Sequence, residues 1–180
     1  MDLKPYHKLA CADMSVISQK IHALVADRVA SGERGWIFLD LKQVLTAVPE
    51  LVIFFKQHNL KPKEAAVTIL YEDFDAHIDT LPVVAKVNMP VANTQGWVNR
   101  WYAITDEELA ACPAIVDPLG FAKEDVSAVP LDRLAGEIAD LDCPIVFNSR
   151  IIHSVDMVNP QALPRVIASF TFFNDPVHLL

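Results

Sequence analysis

Glycine is scarce in this chain, with five residues among 180, and no glycine-rich phosphate-binding loop is present. Neither the G-x-G-x-x-G pattern of dinucleotide-binding folds nor the P-loop pattern occurs, so we expect no nucleotide binding by either device. Basic residues are also in the minority, since 15 Lys and Arg against 23 Asp and Glu give a formal net charge of -8 at pH 7. This balance argues against a nucleic-acid backbone or an anionic membrane as a partner.

Cysteine is sparse, and its spacing favours no disulfide framework. Cys11, Cys112 and Cys143 are odd in number and form no C-x-x-C pair, which is typical of a reducing compartment. Without a G-x-S-x-G motif or a base beside a cysteine, nucleophilic hydrolysis has little support. The sequence also lacks an apolar run of membrane-spanning length and an N-terminal signal segment, so we expect a soluble, cytoplasmic protein.

Hydrophobic residues, by contrast, are abundant at 52% of the chain. At this length they suffice for one domain, residues 1–180, with a substantial core. Residues 1–62 predict a mainly helical lead-in. Its helices are expected from Asp13 to near Ser31, over 41–48 and over 50–59, with a short strand at 36–39.

From residue 63 onward the hydrophobic period changes from helical to alternating, which predicts a β-barrel core over 63–180. Strands are expected at 66–71, 83–91, 97–105, 144–148, 151–157 and 165–173. The acidic segment 106–141 carries three prolines and is expected to be an excursion with two short helices. The whole pattern favours an α+β fold, a small β-sandwich or jelly-roll barrel with buttressing N-terminal helices.

Two imidazoles and one carboxylate are the candidate metal ligands. His77 and Asp79 are two positions apart, so on a strand both side chains point to the same face. His153, on a later strand, would complete the set of two histidines and one carboxylate that leaves coordination positions open in non-haem Fe(II) oxygenases. The competing interpretation places His77 and Asp79 in an exposed acidic loop and makes His153 an ordinary core histidine.

Four segments of the sequence, 77–79, 86–91, 144–155 and 164–170, resemble Fe(II)/2-oxoglutarate-dependent dioxygenases. The nearest likeness is to the aspartyl/asparaginyl β-hydroxylase-like and related cupin-like proteins. The resemblance implies a double-stranded β-helix (jelly-roll/cupin-like) barrel with Fe(II) and 2-oxoglutarate as cofactors. It also implies that His77, Asp79 and His153 hold the metal and that Arg165 binds the far carboxylate of 2-oxoglutarate, for which a planar guanidinium is well suited.

Strand parity supports this role for Arg165. If Arg165 points into the barrel, so do Ile167, Ser169 and Thr171. The other face of the same strand then carries only apolar side chains, namely Val166, Ala168, Phe170 and Phe172. The sequence therefore predicts a polar cavity on one side of this strand and a hydrophobic layer on the other.

Three further residues are candidates for co-substrate binding. Arg100 is a second basic side chain that could bind a carboxylate, and Asn88 and Tyr102 could add hydrogen bonds in the cavity. Their positions fit ordinary strand packing as well. For Trp97, Asn99 and Trp101, which share one strand face, packing is the favoured interpretation over a substrate entrance.

These features favour an oxygenase, specifically a hydroxylase, that acts on a small molecule or a peptide side chain. The alternative is a cupin-like barrel that binds a small anionic metabolite without redox chemistry. A third hypothesis is a structural or interaction domain for which the barrel is only a scaffold. The mean hydropathy of +0.26 favours self-association, so a homodimer is also an expectation.

Overall fold

The computed structural model of the protein describes residues 4–79, 83–116 and 122–180. Its helices are α1 (Met14–Ala30), α2 (Leu41–Ala47), α3 (Pro49–Gln57) and α4 (Asp106–Ala110), followed by a terminal 3-10 turn at Pro176–Leu179. The strands are β1 (Tyr6–Lys8), β2 (Gly35–Leu39), β3 (Pro62–Leu70), β4 (Phe74–His77), β5 (Ala85–Ala92), β6 (Trp97–Tyr102), β7 (Ala114–Val116), β8 (Ala122–Glu124), β9 (Leu134–Ala139), β10 (Ile145–Asn148), β11 (Ile152–Met157) and β12 (Arg165–Phe172).

Two antiparallel sheets carry most of these strands. The larger sheet has six strands in the order β1-β10-β5-β12-β3-β2, and the smaller has four in the order β4-β11-β6-β9. Strands β7 and β8 pair separately. Successive strands repeatedly change sheet, since β3 is followed by β4, β5 by β6, β9 by β10 and β11 by β12. This alternation brings the two sheets together as the two walls of one sandwich.

The first three helices pack on the outer face of the six-stranded sheet. Ile17, Ile21 and Val25 recur every four residues along α1, and all three are fully buried, as the sequence period predicts. On α3, the Phe55 ring lies 5.1 Å from that of Phe170 and 5.4 Å from that of Phe172, centroid to centroid. The predicted buttressing helices are confirmed.

The ends of α2 and α3 follow from local chemistry. The Asp40 carboxylate caps α2 by accepting a hydrogen bond of 2.9 Å from the Gln43 backbone N–H. Pro49 occupies the first turn of α3, where its missing N–H breaks no helical hydrogen bond. Within the described part of the chain, the helices are too short or too polar to cross a membrane.

The predicted division of β12 into two faces is confirmed. Val166, Ala168, Phe170 and Phe172 belong to the hydrophobic core beneath the helices. Arg165, Ile167 and Ser169 instead line a cavity between the two sheets. Thr171 continues their face but donates its hydroxyl to the Glu64 carboxylate at 3.0 Å.

The segment 106–141 differs from its prediction of two short helices. Its described residues hold one helix, α4, which begins with a capping box between Thr105 and Glu108. The rest forms strands, and β9 extends the four-stranded sheet by pairing with β6. Because β9 is an edge strand with Ile138 as its one buried residue, it carries little hydrophobic alternation for the sequence to reveal.

Candidate metal centre

A cavity of about 350 Å³ lies between the two sheets. One wall consists of side chains from β3, β5 and β12 of the six-stranded sheet. The other consists of side chains from β6 and β11, and the segment 73–79 runs along its edge. Because strand side chains alternate between faces, each wall presents one residue in two to this space.

The three predicted ligands converge at this cavity. His77, the last residue of β4, lies directly opposite His153 of β11 in the antiparallel ladder, and their ring centroids are 4.3 Å apart. Asp79 follows just beyond β4, where its backbone N–H donates to the Ser149 carbonyl at 3.2 Å. One donor atom from each side chain lies within 4.8 Å of the other two. The competing interpretation of an exposed loop is wrong for His77 and Asp79, whose side chains are 16% and 13% exposed.

The carboxylate of Asp79 faces both imidazoles. Its Oδ1 lies 3.8 Å from His77 Nε2, and its Oδ2 lies 3.8 Å from His153 Nε2. Each ring turns its other nitrogen to a backbone carbonyl, with His77 Nδ1 at 2.8 Å from the Asp75 oxygen and His153 Nδ1 at 2.9 Å from the Ile151 oxygen. A carbonyl only accepts, so Nδ1 carries the proton of each neutral ring and Nε2 presents its lone pair, as in metal-ligating histidines.

Burial and neighbouring charge set the protonation states of this cluster. Burial, together with the proximity of His77, lowers the pKa of His153 to about 3, so the ring is neutral near pH 7. Burial alone would raise the pKa of the Asp79 carboxyl, but the positive charge of Lys86, with the neighbouring imidazoles, outweighs this effect and holds that pKa below its ordinary value. A neutral imidazole and an ionised carboxylate are the forms that bind a metal.

Lys86 of β5 is a site residue that the sequence analysis missed. Its Nζ lies 2.7 Å from Asp79 Oδ2 and is flanked by the rings of Trp36 at 4.6 Å and Phe147 at 5.1 Å. The ammonium therefore compensates the charge of the buried Oδ2 within the chain itself. The sequence does carry a signal, because Lys86 and Asn88 alternate with buried apolar residues along β5.

Arg165, the predicted anchor for a carboxylate, is buried at the other end of the cavity wall. Its guanidinium donates to Asn99 Oδ1 at 2.9 Å and lies 5.8 Å from the centroid of the Trp97 ring, while its Nε has no hydrogen-bond partner. Among the described residues no carboxylate pairs with it, and burial lowers its pKa to about 9, which leaves it charged at pH 7. A buried cation in this state attracts an anion.

The other candidate residues divide between the cavity and the outside of the barrel. Asn88 lines the cavity and accepts a hydrogen bond of 2.6 Å from the Ser169 hydroxyl. Asn99 and Trp101 line it too, although the sequence favoured packing for them. Arg100 and Tyr102 alternate with these two residues and are not among the described residues that line the cavity.

Arg100 and Tyr102 do not line the cavity and have partners of their own, so the structure gives no support to the expectation that they bind a co-substrate. Arg100 forms ion pairs with Glu137, at 2.8 Å, and with Asp156. Tyr102 shares a hydrogen bond of 3.1 Å with Ser154 and packs in a cluster with Ile78 and Ile152. The strand parity of β6, which carries Asn99 and Trp101 inward, is the physical reason for both positions.

Comparison with known proteins gives a fold but no family. No protein-family model and no curated protein matches the chain. Among solved structures, a prolyl-4-hydroxylase from Pseudomonas putida is 14% identical over 94% of this chain and 92% of its own, with a TM-score of 0.48. AviO1 from Streptomyces viridochromogenes Tue57 is 12% identical over 97% of this chain and 92% of its own, with a TM-score of 0.52.

The chain shares its fold with AviO1. The likeness to AviO1 extends over nearly the whole of both chains, so it includes both sheets and the buttressing helices. At this level of identity it concerns the fold alone. Any statement about chemistry therefore depends on the residues of the cavity.

Proposed function

We propose that this chain is a non-haem Fe(II)- and 2-oxoglutarate-dependent oxygenase, a hydroxylase, built on a double-stranded β-helix. The observation that carries the proposal is the convergence of His77, Asp79 and His153, whose donor atoms lie within 4.8 Å of one another. Two imidazoles and one carboxylate form the facial set that leaves coordination positions open for other ligands. The repeated passage of the chain between two antiparallel sheets supports the barrel assignment.

The donor set fits Fe(II). Both Nε2 atoms present lone pairs on the side of the ionised Asp79 carboxylate, at 3.8 Å from its oxygens. When bound, Fe(II) and 2-oxoglutarate would supply the activation of dioxygen. In the overall reaction 2-oxoglutarate loses CO2 and becomes succinate, which takes one oxygen atom, while the other oxygen atom becomes the hydroxyl group of the substrate.

The residues of this chain would bind and orient the reactants. Arg165 would hold the far carboxylate of 2-oxoglutarate, because a guanidinium meets a carboxylate with two parallel hydrogen bonds. Its burial and the unpaired Nε support this role. Leu70, Ile167 and Phe147 give the cavity an apolar wall that limits the access of water. The volume of about 350 Å³ suits a small ligand.

An anaerobic titration with Fe(II) and 2-oxoglutarate tests the proposal. We expect a weak visible charge-transfer band that saturates at one equivalent of each, because chelation of Fe(II) by a 2-oxo acid produces such a band. Succinate, which lacks the 2-oxo group, serves as the matched control and should give no band. A wild-type protein that gives no band with 2-oxoglutarate contradicts the proposal.

One contact favours the alternative of a cupin-like barrel that binds a small anion without redox chemistry. The ammonium of Lys86 already neutralises Asp79 at 2.7 Å, so the carboxylate has a cation partner within the chain itself. In that case a small dicarboxylate such as succinate would bind at Arg165 whether or not Fe(II) is present. Equal affinity for succinate with and without Fe(II), together with no charge-transfer band, would favour this second function.

A further inference from the structure

Two buried cations with different surroundings line the cavity, and among the residues that the structure describes Lys86 has an anionic partner whereas Arg165 has none. Arg165 contacts Asn99 and Trp97, which are uncharged. Lys86 contacts Asp79 at 2.7 Å and the faces of two aromatic rings. Both are buried to within a few per cent, so the charges are held away from bulk water and each needs compensation.

The ladder register places the two cations toward opposite ends of the sheet. Asn88 of β5 is paired with Ser169 of β12, and Ala92 is paired with Val166. Lys86 therefore lies beyond Asn88 on one side, while Arg165 lies near the Ala92 end on the other. A carboxylate that is bound by Arg165 therefore lies toward the other end of the sheet from Lys86. It does not balance the charge of Lys86.

The charge balance of the cavity changes once the proposed function is assumed. The buried charged groups of the cavity, Lys86, Arg165 and Asp79, together carry one net positive charge. Asp73 and Asp75 line its exposed edge, where water and salt screen their charges. A divalent metal ion adds two positive charges, and 2-oxoglutarate, a dianion, removes two. One positive charge remains, and it belongs to Lys86, since the metal ion then shares the carboxylate that was its partner.

We infer that Lys86 is a specificity-determining residue that receives a carboxylate group of the substrate, so that the substrates are small monocarboxylates. The inference rests on the proposed function and deepens it. An ammonium group has three donors on a flexible stem, so Lys86 contacts a substrate carboxylate while it remains beside Asp79. The rings of Trp36 and Phe147 hold its position between these two partners.

The experiment compares carboxylates with their neutral amides on protein saturated with Mn(II) and 2-oxoglutarate under anaerobic conditions. The probes are butanoate and 4-methylpentanoate, each against its primary amide, and the readouts are thermal stabilisation and water-proton relaxation by Mn(II). Saturation with 2-oxoglutarate keeps the probes from the Arg165 end. We expect each carboxylate to bind at least about tenfold more tightly than its amide.

Lys86→Met should abolish this preference and retain the affinity for 2-oxoglutarate within about threefold. Lys56→Met, on the exposed face of α3, is the matched control and should keep the preference. Equal binding of carboxylate and amide by the wild-type protein overturns the inference, and this test needs no variant to fold. A loss of 2-oxoglutarate affinity in Lys86→Met also overturns it, because Lys86 would then serve the co-substrate.

The failure of the inference is distinguishable from the failure of the proposed function. If Fe(II) and 2-oxoglutarate give the charge-transfer band but the probes show no carboxylate preference, only the inference fails. If the band is absent, both the proposed function and the inference fail. The charge balance that leaves the charge of Lys86 uncompensated requires the metal ion and the dianion.

Discussion

At the scale of single residues, the cavity is defined by charged groups removed from water. Asp79, Lys86 and Arg165 are buried or nearly so, and burying an unpaired charge destabilises a protein by several kcal/mol. Keeping three such groups around one space lowers the stability of the fold. Such a cost is typical of a binding site. The histidines beside them complete the donor set for a metal ion.

Arg165→Met should weaken the binding of 2-oxoglutarate at least about 30-fold, since a buried charge-assisted pair contributes roughly 2–5 kcal/mol. Fe(II) binding in the absence of 2-oxoglutarate should not change. The measurement is the titration of the charge-transfer band. Arg100→Met is the matched control, because Arg100 already pairs with Glu137 and Asp156 outside the cavity; a larger effect of this control would reverse the assignment of the anchor.

Acidification should destabilise the metal-free protein through His153. Its folded pKa of about 3 lies below the ordinary 6.5, so below pH 6.5 the unfolded chain binds a proton that the folded ring does not. Stability is therefore complete above pH 6.5 and is lost as the pH falls toward 3. Between pH 7 and pH 5 the free energy of unfolding should fall by about 2 kcal/mol from this group.

Urea unfolding at the two pH values measures this effect, and His153→Gln should remove about 2 kcal/mol of the pH dependence. His178→Gln, at an exposed position, is the control and should leave the dependence as it is. An unchanged pH dependence in His153→Gln would mean that the buried ring does not govern acid stability.

Residue identities in this site were partly predictable from the sequence. The two-residue spacing of His77 and Asp79 and the parity of β12 placed the ligands and Arg165 correctly in the cavity. Arg100 could not be separated from Arg165 in the same way, because alternation gives two faces without saying which one is interior. Lys86 was missed since a lysine in a strand is ordinarily a surface residue.

At the scale of elements, the turn between β5 and β6 fixes the relative position of two strands that line the cavity. Residues 93–96 form this turn. Gly96 has a positive φ of 77°, and a Cβ there would lie 1.9 Å from the Asn159 carbonyl oxygen. Its N–H donates to the Asp140 carboxylate at 2.6 Å, and its carbonyl accepts from the Val158 and Asn159 backbone N–H groups at 2.9 and 3.0 Å. The turn is therefore joined to the segment after β9 and to the loop that precedes β12.

Gly96→Ala should destabilise the protein by about 3 kcal/mol, because the new methyl group collides with backbone and the positive φ adds strain. Gly32→Ala is the matched control: its φ is 75° but nothing lies within 4 Å of a Cβ there, so it should cost only about 1 kcal/mol. Urea unfolding measures both. Equal losses would show that the close approach at Asn159 does not matter.

The elements themselves were predictable to different degrees. The hydrophobic pattern is strong in helices α1 and α3 and in the central strands β3, β5, β11 and β12, because one or both faces of these elements are buried. Strands β1 and β9 lie at sheet edges, where the hydrophobic pattern is weak. The same weak pattern explains why the described residues of 106–141 form one helix and not the two that were predicted. Edge strands are specified by their neighbours more than by their own residues.

At the scale of the whole molecule, two antiparallel sheets enclose a charged cavity, and helices cover the outer face of the larger sheet. The jelly-roll expectation came from strand count and turn spacing, but which strand pairs with which follows from long-range contacts that a single sequence does not reveal. The same topology brings β4 and β11 side by side. That pairing brings His153 beside His77 and Asp79, and the three residues form one candidate metal centre.

The iron content of the protein after anaerobic reconstitution and gel filtration tests this centre most directly. We predict one Fe(II) per wild-type chain and less than about a tenth of that in His77→Ala and in Asp79→Ala, since each variant loses one of three protein ligands. His178→Ala should bind iron as the wild type does. A wild-type chain that retains no iron, or variants that retain a full equivalent, would contradict the assignment.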